Sequence, residues 1–241
     1  SIEYHTTNEF RRGGNKFDLE PFETDITEQT KHVINSGGLT YDLFWKEYKH
    51  KLSFYTSAQH VDRNSYYGAQ QDPNAYGKTQ DLTFVGGGMY VGNFDKALFS
   101  PATFSAGLEY SHNNMHDIMA GYNRDLEQKV RIASAFFQNE WKMNDFTLLA
   151  GFRLDDHNLI ENLIFSPRVN LLYKPSDALQ GRLTWSTGFR APQAYDEDLH
   201  ITAVGGEGVL IHLADGLKPE KSNSFSGSVD LSGQIGHFQT N

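Results

Sequence analysis

The sequence predicts an all-β chain, specifically an antiparallel up-and-down transmembrane β-barrel segment of about ten or eleven strands. Three observations predict it. Hydropathy alternates with period two along most of the chain. The connections between alternating segments are short and long by turns, so one end of the sheet is trimmed and the other carries the long loops. The composition is polar on average, with a mean hydropathy of −0.55, yet it has 13% aromatic residues, 22 Gly and only 7 Pro. That suits a sheet with many turns. No apolar run approaches the ~20 residues of a spanning helix.

Candidate strands fall at 1–11, 26–46 (with a break expected at Gly37-Gly38), 50–66, 79–93, 102–112, 128–143, 145–156, 165–174, 180–188, 221–232 and 234–241. The clearest are 39–46, with Leu39, Tyr41, Leu43 and Trp45 on one face, and 102–112, with Ala102, Phe104, Ala106, Leu108 and Tyr110. The same pattern places Phe146, Leu148, Ala150, Phe152 and Leu154 together, then Phe165, Val169, Leu171 and Tyr173, then Phe225, Val229 and Leu231. Successive side chains point to opposite faces of a strand, so each segment has one apolar and one polar face. The stretches 81–93 and 128–143 carry apolar residues at both parities, which predicts either a bulge or an environment that is apolar on both sides. Short connections are expected near 47–49, 94–101, 144, 175–179 and 233, and long ones near 12–25, 67–78, 113–127, 157–164 and 189–220.

Alternation alone fits a soluble sandwich equally well. The loop asymmetry favours the barrel. So do candidates such as 50–66, which exceed the ~5–6 residues of an ordinary globular strand. The formal net charge of −9 argues against a nucleic-acid partner. The absence of cysteine removes disulfides, thiolate metal sites and cysteine nucleophiles. No G-x-S-x-G, phosphate-cradling loop or helical His-x-x-x-His is present, so no enzyme is predicted.

Several motifs then occur in order over residues 135–232: AFFQNEW (135–141), LLAGFRLDDH (148–157), FSPRVNLLYKP (165–175), a strand ending in Gly188-Phe189-Arg190-Ala191-Pro192, and LKPEKS (217–222). Pro192 cannot donate to a ladder and stands where the alternation stops. Together they resemble the barrel of a TonB-dependent outer-membrane receptor. The resemblance implies a barrel of about 22 strands, of which residues 1–241 form part of one barrel domain, an internal piece without the plug domain. It implies energised import across the bacterial outer membrane. Its implied partners are the TonB complex (through the absent N-terminal part), a small nutrient ligand, outer-membrane lipid and a surface lipoprotein.

The loops resemble Bacteroides-type receptors similar to cobalamin (vitamin B12) transporters, which implies a corrinoid ligand. Ligand-binding candidates are Tyr66, Tyr67, Gln70, Asn74 and Tyr76 in one loop, Tyr122, Asn123 and Arg124 in another, and Arg190 at the start of the longest. The competing reading makes the tyrosines and asparagines girdle and turn residues. Haem or a ferric siderophore is the rival cargo within the family. His200 and His212 lie where haem receptors carry an axial His, but Ala214-Asp215-Gly216-Leu217 replaces the N-P-N-L segment that follows in those receptors. Asp196, Glu197 and Asp198 offer oxygen ligands for a loop calcium, the one cofactor considered; the competing reading is a solvated acidic loop. A passive porin or surface binding barrel remains the alternative of another class.

Overall fold

The computed structural model describes residues 1–194, 214, 216–235 and 238–240, the last two stretches from residue 233 onward by backbone alone. Ten strands form one antiparallel meander in the order of the chain: β1 (Ile2–Gly14), β2 (Ile26–Trp45), β3 (His50–Ala69), β4 (Tyr76–Ala97), β5 (Ser100–Met119), β6 (Arg124–Met143), β7 (Phe146–His157), β8 (Ile164–Ser176), β9 (Leu179–Arg190) and β10 (Glu220–Leu231). Each strand pairs with its sequence neighbours. Two three-residue strands, β11 (Gly233–Ile235) and β12 (Phe238–Thr240), form a separate hairpin where one strand over 234–241 was expected. The helical content of the described residues is two 3-10 turns, Pro21–Glu23 and Ala120–Tyr122. No helix among them is long and apolar enough to cross a membrane.

The ladder explains the alternation. Outward positions on β5 are Ala102, Phe104, Ala106, Leu108 and Tyr110, and register places Trp141, Phe137, Ala135 and Ala133 of β6 beside them. The band continues through Phe152 and Leu154 on β7, and through Phe165 and Val169 on β8. On the other flank it reaches Tyr90 on β4, Phe54 and Leu52 on β3, and Tyr41 and Leu43 on β2. Aromatic rings touch in an unbroken ridge across it: Trp45, His50, Tyr90, Phe104, Phe137, Phe152 and Phe165, with successive centroids 5.0 to 6.0 Å apart. Leu108 in this band is 67% exposed. A row of large apolar side chains turned away from the protein is what a bilayer-facing wall requires. The opposite, inner face carries the polar partners of the alternation.

Two expectations are corrected by strand length. Strands β2 to β6 run 20 to 22 residues, about 65 Å at ~3.3 Å per residue. That is more than twice the ~25 Å height of a lipid-facing band. The polar stretch 67–78 is therefore half ladder and 113–127 mostly ladder, and the true connections shrink to 70–75 and 120–123. These strands stay paired beyond the bilayer with polar residues on both faces, so their hydropathy there reads as loop. Gly37 and Gly38 do not interrupt β2; they pair with Tyr4 and Glu3 on one side and Ala58 and Ser57 on the other. Stretches 81–93 and 128–143 are regular ladder with apolar residues on both faces, and the register shift in β4 falls later, between Phe94 and Ala97.

Candidate functional site

Register aligns the inner-facing polar residues into rows that cross the strands. One row, at the level of the apolar band, runs Tyr55, Gly87, Glu109, Ser134 and Asp155 over β3 to β7. The Tyr55 hydroxyl donates to Glu109 Oε2 at 2.5 Å, spanning β4. It can do so because Gly87 lies between them: a Cβ there would sit 2.7 Å from the Tyr55 hydroxyl oxygen and 2.7 Å from the Leu108 carbonyl oxygen. Arg153 closes the row from β7. Its guanidinium donates to Glu109 Oε1 (2.8 Å), Asp155 Oδ1 (2.7 Å) and Ser134 Oγ (2.7 Å), and Ser134 in turn donates to Asp155 (2.6 Å). Two carboxylates share one guanidinium and two hydroxyls, so the row satisfies its charges internally.

A second row lies higher, where the outward residues have become polar: Arg63, Thr79 and Asp117 over β3 to β5. The Asp117 side chain is 2% exposed. It accepts from the Thr79 hydroxyl at 2.5 Å and faces two cations. Arg124 Nε is 2.6 Å from Oδ2, an ion pair too bent to be a hydrogen bond, and Arg63 is 3.8 Å from Oδ1. A buried carboxylate needs such compensation, since an unpaired ion in a dry wall is costly.

Above this row the tips of two hairpins lock together. Tyr67 packs with Met119 and Tyr122. The Tyr122 hydroxyl donates to the Tyr67 carbonyl (2.6 Å), the Tyr67 amide to the Ala75 carbonyl (3.1 Å), and the Gly121 amide to the Asn74 carbonyl (3.1 Å). Burial, with Asp72 nearby, pushes the Tyr122 hydroxyl above the ordinary tyrosine range. The β1–β2 connection joins the same assembly: the amides of Gln70 and Gln71 donate to the carbonyls of Asp25 and Thr24. Hydrogen bonds from Lys16 and Asn15 hold the exposed Asp25 carboxyl below its usual range. Three connections thus behave as one body.

The predicted residues are distributed through that body. Tyr66 and Tyr67 lie on β3, 1% and 3% exposed, with the Tyr66 ring edge-on to Tyr76 and its hydroxyl donating to the Asp72 carbonyl. Gln70 (φ 57°) and Asn74 form the turn, and Tyr76, 43% exposed, opens β4. Tyr122 ends the second 3-10 turn, Asn123 is its left-handed cap, and Arg124 opens β6. Arg190 ends β9 opposite Glu220. His200, His212, Asp196, Glu197 and Asp198 lie outside the described residues, and the haem and calcium readings with them. Among the described residues no group of three or more His, Asp or Glu converges as a metal site. Sequence reasoning passed over Tyr55, Arg63, Glu109, Asp117, Gln128 and Arg153. Their one signal is inward parity of charged or amide residues in otherwise alternating strands, which gains meaning only with the register.

Where the longest connection begins, the chain crosses the inner face. Ala191 and Ala194 are buried. The Gln128 side-chain amide on β6 grips Ala194 twice, donating to its carbonyl (3.0 Å) and accepting from its amide (2.8 Å).

A family model described as TonB dependent receptor-like, β-barrel, matches residues 3–241. No curated protein matches the chain. Among solved structures, the chain is similar to the siderophore receptor PirA from Pseudomonas aeruginosa (TM-score 0.68, 16% identity, 86% of this chain and 38% of that one). It is also similar to PirA from Acinetobacter baumannii (TM-score 0.62, 15% identity, 88% and 33%). A third is the ferric enterobactin receptor PfeA of Pseudomonas aeruginosa (TM-score 0.51, 16% identity, 70% and 26%). At such identities the likeness is one of fold, and the chain spans less than two fifths of the length of each of these structures.

Proposed function

The chain belongs to the TonB-dependent receptor β-barrel family of the bacterial outer membrane, and from that premise we propose that it forms part of the wall of an energised importer of a scarce nutrient chelate. Members of the family are transporters rather than enzymes. The observation that carries the proposal is the division of the ten-stranded meander into an apolar outer band and an inner face of self-satisfied polar rows. Such a wall is inert towards covalent chemistry and offers a polar surface along a lumen. The ligand lands on the extracellular ends, a TonB complex supplies the energy through a part of the protein outside this chain, and lipid holds the band.

A corrinoid such as cobalamin is the first substrate reading, supported by the amide and tyrosine content of the loops. A ferric siderophore is the second, favoured by the fold likeness to the siderophore receptor PirA and the ferric enterobactin receptor PfeA. A surface lipoprotein partner and a loop calcium at Asp196–Asp198 belong to the same proposal. The test is uptake of labelled cyanocobalamin and of a labelled ferric siderophore by cells carrying the full-length receptor, with and without TonB. Saturable uptake of one of them that disappears without TonB is the expected result. Uptake that persists without TonB would instead make the barrel a passive one.

A further inference from the structure

Between the two charge rows the inner wall holds a cavity of about 490 Å³. Its height follows from register. Gln59, Val61, Asp81, Asn113 and Met115 line it, and the outward residues beside them on β3 and β5 are His60, Asp62, His112 and Asn114. These are polar, as are Arg131 and Lys129 on β6, while β4 still turns Leu82 and Phe84 outward between them, so the cavity stands at the upper margin of the lipid-facing band. Gln193 and Ala194, held by the Gln128 clamp, form part of its lining. The cavity therefore incorporates the first residues of the longest connection.

The charges that line it are balanced and spoken for. Glu9 is paired with Arg11 at 2.7 Å. Arg63 donates to Thr79 (3.1 Å) and faces Asp117. Asp81 accepts from the Asn113 amide. Two carboxylates and two guanidiniums, with the His32 ring 3.7 Å from Glu9, leave no surplus permanent cation among the lining residues to neutralise a polyanion. What the surface offers instead is amide chemistry: Gln59 exposed on the wall, the Asn113 carbonyl oxygen left over once its amino group is bonded, and Gln193 beside them. A primary amide both donates and accepts, so it matches another amide or a hydroxyl group.

We infer that this cavity is a subsite for a neutral, amide- or hydroxyl-bearing edge of the ligand, with Gln59 as its principal contact, and that it disfavours polyanionic chelates. The inference rests on the importer reading above and chooses between its two substrates. The cavity holds an edge of a large ligand rather than its whole body.

The experiment titrates the intact full-length receptor, wild type, Gln59→Leu and Gln59→Trp, with cyanocobalamin, whose corrin rim bears primary amides, and with a ferric catecholate. Each is measured at low and high ionic strength. Cyanocobalamin affinity is expected to fall about five- to tenfold in Gln59→Leu, the effect of losing one or two hydrogen bonds, and further in Gln59→Trp, which fills the space. It should barely respond to salt, because no net charge is read. Gln59 is exposed on the wall, so both variants leave the ladder intact; recovery in the outer membrane checks this. Wild-type affinity for cyanocobalamin retained in both variants overturns the subsite and leaves the corrinoid reading standing. Binding of the ferric catecholate in place of cyanocobalamin, weakened by salt, overturns both. So does failure to bind either probe.

Discussion

The same strands build two different walls. In the band, β2 to β10 present large apolar side chains outward, and the inner side carries paired charges such as the Tyr55, Glu109 and Arg153 row and the Asp42–Lys51 pair. Above it, β2 to β6 continue with largely polar faces, and most of the deeply buried large side chains gather there: Tyr66, Met119, Thr24, Thr27 and Asp117, with His157 on β7 the exception. The band takes its apolar partner from lipid, whereas the extension must make its own core from an ion cluster and interlocked turns. The difference teaches that a barrel strand is specified twice, once by the bilayer and once, further along, by its neighbours' tips.

The largest separation of the two regions is expected from Asp117→Ala. It removes the carboxylate that Arg63 and Arg124 share, and breaking a buried pair costs about 3–5 kcal/mol. The loss should be local. Hydrogen exchange and protease nicking at 70–75 and 120–123 should rise sharply, while the heat-resistant migration of the barrel on gels is retained. Loss of the whole barrel instead would show that the extension is no separate unit.

Next comes a matched pair on one strand. Leu108→Arg puts a cation on the lipid face of β5 and should cost about 2–4 kcal/mol near the middle of the bilayer. Asn114→Arg, six residues higher on the same face, should cost under about 1 kcal/mol. Equilibrium refolding into lipid vesicles reads both. Equal effects would move the upper limit of the band beyond Asn114.

Gly87→Ala tests the inner row within the band. The added Cβ meets the Tyr55 hydroxyl and the Leu108 carbonyl at 2.7 Å, and overpacking of this kind costs about 1–3 kcal/mol. The same refolding assay should show that loss, and double substitution with Tyr55→Phe should cost less than the sum because the two share one contact.

How much of this was legible differs between the walls for the same reason. In the band, period two carries the whole signal: Ala102 to Tyr110 and Phe146 to Leu154 read as strands because lipid demands every second residue. In the extension both faces are largely polar, so Asn113 to Asp117 look like loop, although they are paired throughout. Tyr66, Tyr67 and Tyr122 stand out in the sequence as aromatic candidates in two separate loops, but their interlocking does not, because Tyr122 meets Tyr67 across 55 residues of chain. Gln128 is invisible for a similar reason; its partner Ala194 is 66 residues away. Contacts between tips depend on register, and register depends on every turn between them.

The smallest expected effect is the sharpest probe of that interlock. Tyr122→Phe removes only the hydroxyl that donates to the Tyr67 carbonyl at 2.6 Å, in a residue buried to 3% exposure. The carbonyl is left without that donor in a place water reaches poorly, a loss of about 1 kcal/mol. The ring stays, so packing against Met119 is kept and the turn should still form. Because Tyr67 also donates its own amide to the Ala75 carbonyl, loosening Tyr67 should speed exchange of that amide about fivefold. Amides of β7 to β10, which share no contact with the tip, should be unchanged. Burial holds the Tyr122 hydroxyl above the ordinary tyrosine range, in keeping with a donor enclosed between the two hairpins. Exchange of the Tyr67 amide that is unchanged in the variant would mean that packing alone joins the two hairpins.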